Sequence, residues 1–285
     1  MNSFAEYVRS LAGLVEAAER LPLPGESAVP ASRSSSDRSP TVMIFSPHPD
    51  DEVIMGGLPL RLLRQSDWRV INVAVTQGSN RERQAERWTE LTACCQRIGF
   101  ELVATAANGL ENINAAAAQT DGAEWQRAVS RIRKLLEAHQ PRLVLFPHES
   151  DWNSTHVGVH LLLRQALGAA RLAAAPWVCE TEFWGQMTSP NLLVESSAGE
   201  LADLVSALAC HVGEVRRNPY HLSLPAWMME NVRRAELVVG QGGGVPQMHF
   251  GTIYRLGRWQ NGAIEHSGSG RALVHSDDPA VLFPV

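Results

Sequence analysis

Four cysteines, no CxxC pair, no excess of basic residues and no uninterrupted apolar run of about 18 residues mark this 285-residue chain. Each shortage removes a class of function. Cys94 and Cys95 are adjacent and poorly placed to bridge each other, and Cys179 and Cys210 stand alone. The set therefore reads as buried or free thiols in a reducing compartment, not as a disulfide framework. The net charge of -5 and the isoelectric point near 6.1 leave no basic footprint for nucleic acid. The charges are interspersed, so an anionic polymer is not the expected substrate. The opening MNSFAEYVRSLAGLVEAAERL lacks the basic and apolar regions of a signal peptide. With no membrane span either, a cytoplasmic location is expected. A dinucleotide site is disfavoured because the first strand is not followed by G-x-G-x-x-G, and the downstream GQGGG stands outside any strand–turn–helix unit. No internal repeat is present.

What remains is a chain that is 45% hydrophobic, enough for one large core or two modest ones. Phe4, Val8, Leu11, Leu14, Val15 and Ala18 recur at three- and four-residue spacings, which predicts an amphipathic helix over residues 4–21. That helix is a candidate for packing on a second copy in a homo-oligomer. A Pro- and Ser-rich stretch follows, so residues 1–40 read as a helix plus linker and residues 41–285 as the main domain. From Thr41 onward strands alternate with helices: VMIF, WRVINVAVTQG, FELVATA and RLVLFPH are strand-like. ERQAERWTELTACCQRIG is helical and closes at Gly99, and a long amphipathic helix follows Thr120 or Asp121. Beyond the helix HVGVHLLLRQALGAARLAA come the strand PWVCETEFWG, helices near Ser196 or Ser197 and at PAWMMENVRRAELVVG, and a last strand at FGTIYRLG. This alternation predicts an α/β fold with a Rossmann-like, mainly parallel sheet flanked by helices on both faces. Sites in such sheets gather beyond the carboxyl ends of the strands, where both FSPHPDDE and LFPHESDWNSTH fall.

Three carboxylates beside an imidazole are costly to bury unless they are paired, hydrogen-bonded or bound to metal. His48 and Asp51, three residues apart at a turn, can point at one ion, and His156 from the later strand end can complete the set. Zinc accepts such nitrogen and oxygen ligands and keeps a position open for water, whose proton Asp50 is placed to remove. A helix start, with carboxylates capping amides, accounts equally well for Asp50 and Glu52 alone. It does not account for His48 between two prolines. Taken singly, His148, His160 and His211 read as hydrogen-bonded structural histidines. Trp152, Trp184 and Trp227 read either as sugar-stacking surfaces or as core.

The run PHPDDE resembles the signature of the zinc-dependent de-N-acetylases of the PIG-L (LmbE-like) superfamily, which act on N-acetylglucosamine-type sugars and related amides. The resemblance implies one zinc ion held by His48, Asp51 and His156, with Asp50 as general base. RWTELTACCQRIG resembles the family's Arg-x-x-Glu helix, which makes Arg87 the residue expected to hold substrate. The bland alternative for Arg87 is a surface pair with Glu90. In NSTHVGVH, Asn153 stands where the family has a His and Thr155 where it has an Asp. Asn153 can donate a hydrogen bond to an oxyanion but cannot shuttle a proton. ALACHVGEV resembles the Ala-x-x-His-x-Ser-Gln pattern with Gly213 and Glu214 in place of Ser and Gln, which turns His211 toward the site as the expected proton donor. GQGGGVP and FGTIYRL resemble the family's final loop and strand. The implied activity is hydrolysis of an N-acetyl group on a small amino sugar or glycoconjugate. The rivals are a metal-dependent hydrolase of another amide or ester, and a non-catalytic sugar- or partner-binding relative.

Overall fold

Along β1 (Thr41–Ser46) every side chain is buried, with Val42 and Ile44 facing one core and Met43 and Phe45 the other. Burial on both faces is what a strand inside a helix-covered parallel sheet requires. In the computed structural model, which describes residues 2–23, 39–239 and 247–284, β1 pairs in parallel with β2 (Arg69–Ala74) and with β4 (Leu143–Pro147). β2 pairs in parallel with β3 (Glu101–Ala104), and β4 with β5 (Trp177–Thr181). Beyond β5 the direction changes. β7 (Gly251–Gln260) runs antiparallel to β5, to β6 (Leu192–Glu195) and to β8 (Ala263–His266), while β9 (Arg271–Leu273) lies parallel to β6. The sheet order is β3-β2-β1-β4-β5-β7-β6-β9.

Helices cover both faces, as expected. On the Val42 and Ile44 side pack α2 (Asp51–Ile54), α3 (Gly57–Gln65), α4 (Gln84–Ile98), α8 (Ala198–Leu208) and α10 (Tyr220–Arg233). On the other side α6 (Ala123–His139) and α7 (Ser154–Ala169) supply Trp125, Ile132, Val159 and Leu163, with the short α5 (Ala115–Thr120) against α7. Asp121 does not cap α6: it ends α5 in a left-handed conformation, and α6 begins after Gly122. Ser197 does cap α8, through a full capping box with Glu200. α8 ends at Leu208, and α9 (Val212–Arg217) starts anew beyond His211. α10 begins at Tyr220, before Pro225, and a short α11 (Glu236–Val239) follows.

The N-terminal helix forms as α1 (Ala5–Ala18), and its apolar stripe of Phe4, Val8, Leu11, Leu14 and Val15 is exposed. Most of the Pro- and Ser-rich tether and the GQGGG loop lie outside the described residues. All four cysteines are buried and free. Among the described residues no helix is long and apolar enough to cross a membrane.

One buried cation ties the antiparallel half to the rest. Arg61 on α3 is fully buried and donates to the carbonyls of Glu195 at 3.0 Å, Val274 at 3.0 Å, His275 at 3.1 Å and Asp277 at 2.7 Å. Removing the guanidinium takes the shared donor from all four carbonyls and leaves a cavity at a fully buried position. Arg61→Leu is expected to cost roughly 3–5 kcal/mol of stability, read as a lower urea midpoint at unchanged slope.

Candidate functional site

The chain leaves β1 toward β2 on one side, while β4 and β5 extend the sheet on the other. The loops after β1 and β4 therefore part at a topological switch point, where parallel sheets form their clefts. His48, Asp50 and Asp51 follow β1, and His156 lies in the first turn of α7 after β4. The structure brings the expected set together. His48 Nδ1 and His156 Nε2 lie 3.2 Å apart, and Asp51 Oδ2 is 3.5 Å from the first and 3.4 Å from the second. Nitrogen and oxygen ligands about 2.0–2.1 Å from a tetrahedral zinc ion must lie about 3.3 Å from one another. The three donors fit one ion.

Their supports fit as well. Asp51 Oδ2 accepts the His48 N–H at 2.9 Å, which aims that oxygen at the triangle. His156 is fully buried, and its Nδ1 faces Asp151 Oδ1 at 3.6 Å with no closer partner among the described residues. Asp151 is itself fixed by the N–H groups of Asn153 at 2.8 Å and Trp184 at 3.2 Å. A carboxylate behind a histidine fixes the ring and raises its basicity as a ligand. Burial opposes a charged His156 ring, yet Asp51 and Asp151 outweigh it and raise its pKa to about 10. The pocket is built to hold positive charge. Asp151 went unnoticed in the sequence, where nothing separates it from Glu149 and Ser150 around it.

Asp50 sits beside this triangle in a backbone conformation rare for any residue but glycine, with φ 120°. Such a conformation costs on the order of 1–3 kcal/mol and persists only where neighbours impose it. Here both ends of the Pro49–Asp50 peptide are gripped. Arg87 donates to the Pro49 carbonyl at 3.0 Å, and the Asp50 N–H donates to Glu52 Oε2 at 2.9 Å. Glu52 is held in turn, since its Oε1 accepts from His211 Nε2 at 2.9 Å and from the Cys94 thiol at 3.0 Å. Burial and Glu52 keep that thiol protonated, so Glu52, Cys94 and His211 form a hydrogen-bonded anchor, although their spacing could hold an ion. The outcome is an Asp50 carboxylate whose Oδ2 accepts from Tyr220 at 2.6 Å. Burial and the Asp51 charge push the Asp50 carboxyl up to about 7, against the pull of His211, Arg87 and Tyr220. A carboxylate of that basicity suits proton transfer at neutral pH.

Residues 43–167 match the family described as PIG-L: GlcNAc-PI de-N-acetylase. Among solved structures, the chain is similar to N,N′-diacetylchitobiose deacetylase from Pyrococcus horikoshii (14% identity, TM-score 0.54, covering 90% of this chain and 94% of that one). It is also similar to the zinc-inhibited form of teicoplanin deacetylase Orf2 (13% identity, TM-score 0.54, 78% and 99%). GalB, the 4-carboxy-2-hydroxymuconate hydratase from Pseudomonas putida KT2440, shares the fold too (15% identity, TM-score 0.58, 76% and 95%). No curated protein matches the chain. Likeness at these identities shows the fold alone, and the reaction must be argued from side chains.

Against the PIG-L pattern, three residues stand differently from the sequence expectation. Arg87 is not a surface partner of Glu90; it lies against the loop, with Nη2 4.0 Å from Asp50 Oδ2 and Nε 3.9 Å from Glu214 Oε1. Gly78, at φ 82°, leaves the room that Arg87 fills, because a Cβ there would stand 2.2 Å from Nη1. His211 does not face the cleft: the ring is fully buried, and the helix break turns it inward onto Glu52. Asn153 caps α7 by accepting from the Thr155 N–H at 2.8 Å. His148 and His160 bond the Gly185 and Pro147 carbonyls, the structural role expected of them. The open space beside His48 is a polar cavity of about 300 Å³, walled by Gly78, Arg81, Glu111, Asn112 and Thr155. Most of that wall comes from turns without a motif, which is why the sequence did not point to it.

The second carboxylate offers a direct check on the metal reading. Asp151→Asn is expected to weaken zinc uptake roughly tenfold to a hundredfold in a calorimetric titration, and His156→Ala to abolish it.

Proposed function

We propose that the protein is a zinc-dependent N-deacetylase acting on an amino sugar or glycoconjugate, with the catalytic machinery in a domain spanning residues 41–285. The observation that carries this reading is the triangle of His48, Asp51 and His156 with a tilted, clamped Asp50 at its edge. The family match over residues 43–167 supports hydrolysis of an acetyl amide over the other chemistries the fold hosts.

His48, Asp51 and His156 hold the ion; bound there, zinc supplies Lewis acidity toward an amide carbonyl and acidifies a water molecule. Asp50 takes the proton from the attacking water. Tyr220 fixes Asp50 Oδ2, which leaves the other carboxylate oxygen to accept that proton. Because His211 is buried and Asn153 cannot carry a proton, the protonated Asp50 is the group that returns the proton to the departing amine. The polar cavity beside His48 seats the sugar, where Arg81, Glu111 and Asn112 offer donors and acceptors to hydroxyls.

Acetate release from a panel of N-acetylated sugars, measured on zinc-loaded protein, tests the reading. Turnover is expected in the wild type, and Asp50→Asn is expected to lose roughly a hundredfold to ten-thousandfold while retaining zinc. A wild type that binds these sugars and zinc but releases no acetate would make the chain a binding module instead. The clamp has its own signature. Arg87→Met is expected to lower kcat by roughly tenfold to a hundredfold with KM nearly unchanged. A raised KM at constant kcat would return Arg87 to the substrate-holding role.

A further inference from the structure

Against Phe183 and Trp184 lies a second cavity of about 240 Å³, and none of the roles above uses it. Its walls include Ile54, Phe183, Trp184, Trp227 and Met228. Two of these side chains connect it to the chemistry. The Phe183 ring meets His156 edge-on at 4.8 Å, and Trp184 meets Tyr220, the partner of Asp50, at 6.5 Å. Trp184 also stands edge-to-face on Trp227 at 6.0 Å, yet it remains 40% exposed. A tryptophan held rigidly at a cavity mouth and still open to water is a contact surface waiting for a flat partner.

The charged side chains of the cavity are already committed. Arg234 Nη2 donates to Glu182 Oε2 at 3.0 Å, the same oxygen accepts the Met187 N–H at 2.6 Å, and Glu230 accepts from Arg233 at 2.7 Å. No unpaired charge is left there to recognise an ion. Besides the uncharged polar groups of Gln186, Asn231 and Thr252, indole, phenyl and aliphatic faces remain, around a space larger than the roughly 150 Å³ apolar cavity that accepts benzene.

We infer that this cavity is a subsite for an uncharged aromatic or apolar ring carried by the substrate, seated against the open face of Trp184 beside Trp227 while the amide lies at the metal triangle. The inference rests on the deacetylase reading and narrows it to ring-bearing conjugates. Such a ring belongs either to the amine portion, as an aglycone, or to the acyl group.

Three probes separate these cases on the full-length, zinc-loaded protein: methyl N-acetyl-β-D-glucosaminide, its phenyl glycoside, and the methyl glycoside bearing N-phenylacetyl in place of N-acetyl. Calorimetric Kd and acid release are measured for each. One ring-bearing probe is expected to bind about tenfold tighter than the methyl N-acetyl compound, and its identity tells which portion carries the ring. Trp184→Ala is expected to bring that ratio to about one, while Trp184→Phe keeps most of it. Equal affinity for all three probes, or a ratio that survives Trp184→Ala, overturns the inference. The deacetylase reading fails separately: ring-dependent binding without release of acid from any probe would leave the subsite standing and remove the reaction.

Discussion

Parallel pairing of β1 with β4, in the register Val42–Leu143 to Ile44–Leu145, places two loops from distant parts of the chain against each other. His48 and His156 are 108 residues apart in sequence and 3.2 Å apart in space, and no local pattern makes that contact. The hydrophobic alternation along β1 makes it. Val42 and Ile44 must face the α3, α4 and α8 side, and Met43 and Phe45 the α6 and α7 side. A slip of one residue would exchange the two faces and carry His48 away from α7. The spacing of three polar atoms is thus set by the packing of apolar ones, which explains how a site of a few ångströms survives on so divergent a scaffold.

The same packing forces charges into the interior, and the interior answers each one. Asp51, Glu52, His156, His211 and Arg61 are all essentially excluded from water. An unpaired ion in such a place costs several kcal/mol, so the residues come as connected sets: Asp151 behind His156, His211 and Cys94 behind Glu52, Arg87 on the Pro49 carbonyl. One consequence is mechanical. The strained peptide before Asp51 is gripped at its oxygen and its nitrogen by groups from α4 and α2, so the orientation of Asp50 depends on the seating of both helices. This is preorganisation in a literal sense: the carboxylate direction is fixed before any substrate arrives.

How much of this was legible varies with the range of the interaction. PHPDDE announced itself because its peculiarity is local: an imidazole between prolines and a run of acids behind an apolar strand. The five parallel strands were legible from alternation and the end of α4 from Gly99, whose φ of 85° only glycine adopts freely. The short β6 and β9 carried too little pattern, and β8 hid behind the Asn261–Gly262 turn, a hairpin signal that is plain once the positive φ of both residues is seen. The carboxylate sequence reading as a helix start was partly sound, since Asp51 and Glu52 do accept backbone N–H groups, but those groups belong to the loop at His48 and Asp50. Asp151, Tyr220 and the inward turn of His211 were illegible because each depends on a partner that only the folded chain supplies.

The departures from the family pattern also acquire a physical account. Gly213 has no side chain because Arg83 occupies that space; a Cβ would lie 1.8 Å from Nη2. Its N–H donates to Glu90 at 2.7 Å, and the adjacent Glu214 accepts from Arg83 at 2.5 Å. A Ser at 213 would crowd the tip of Arg83 and a Gln at 214 would lose the ionic pairing with it, so Gly213 and Glu214 belong to one charge cluster. Asn153 is likewise employed, as the cap of the helix that carries His156. The Asn153 exchange thus keeps the helix that carries His156 capped while leaving no imidazole at that position. On the deacetylase reading, the proton taken from water must then leave through the oxygen that received it. Asp50, whose carboxyl is pushed up by burial and by Asp51, stands beside the donor triangle where it can serve both halves of that exchange.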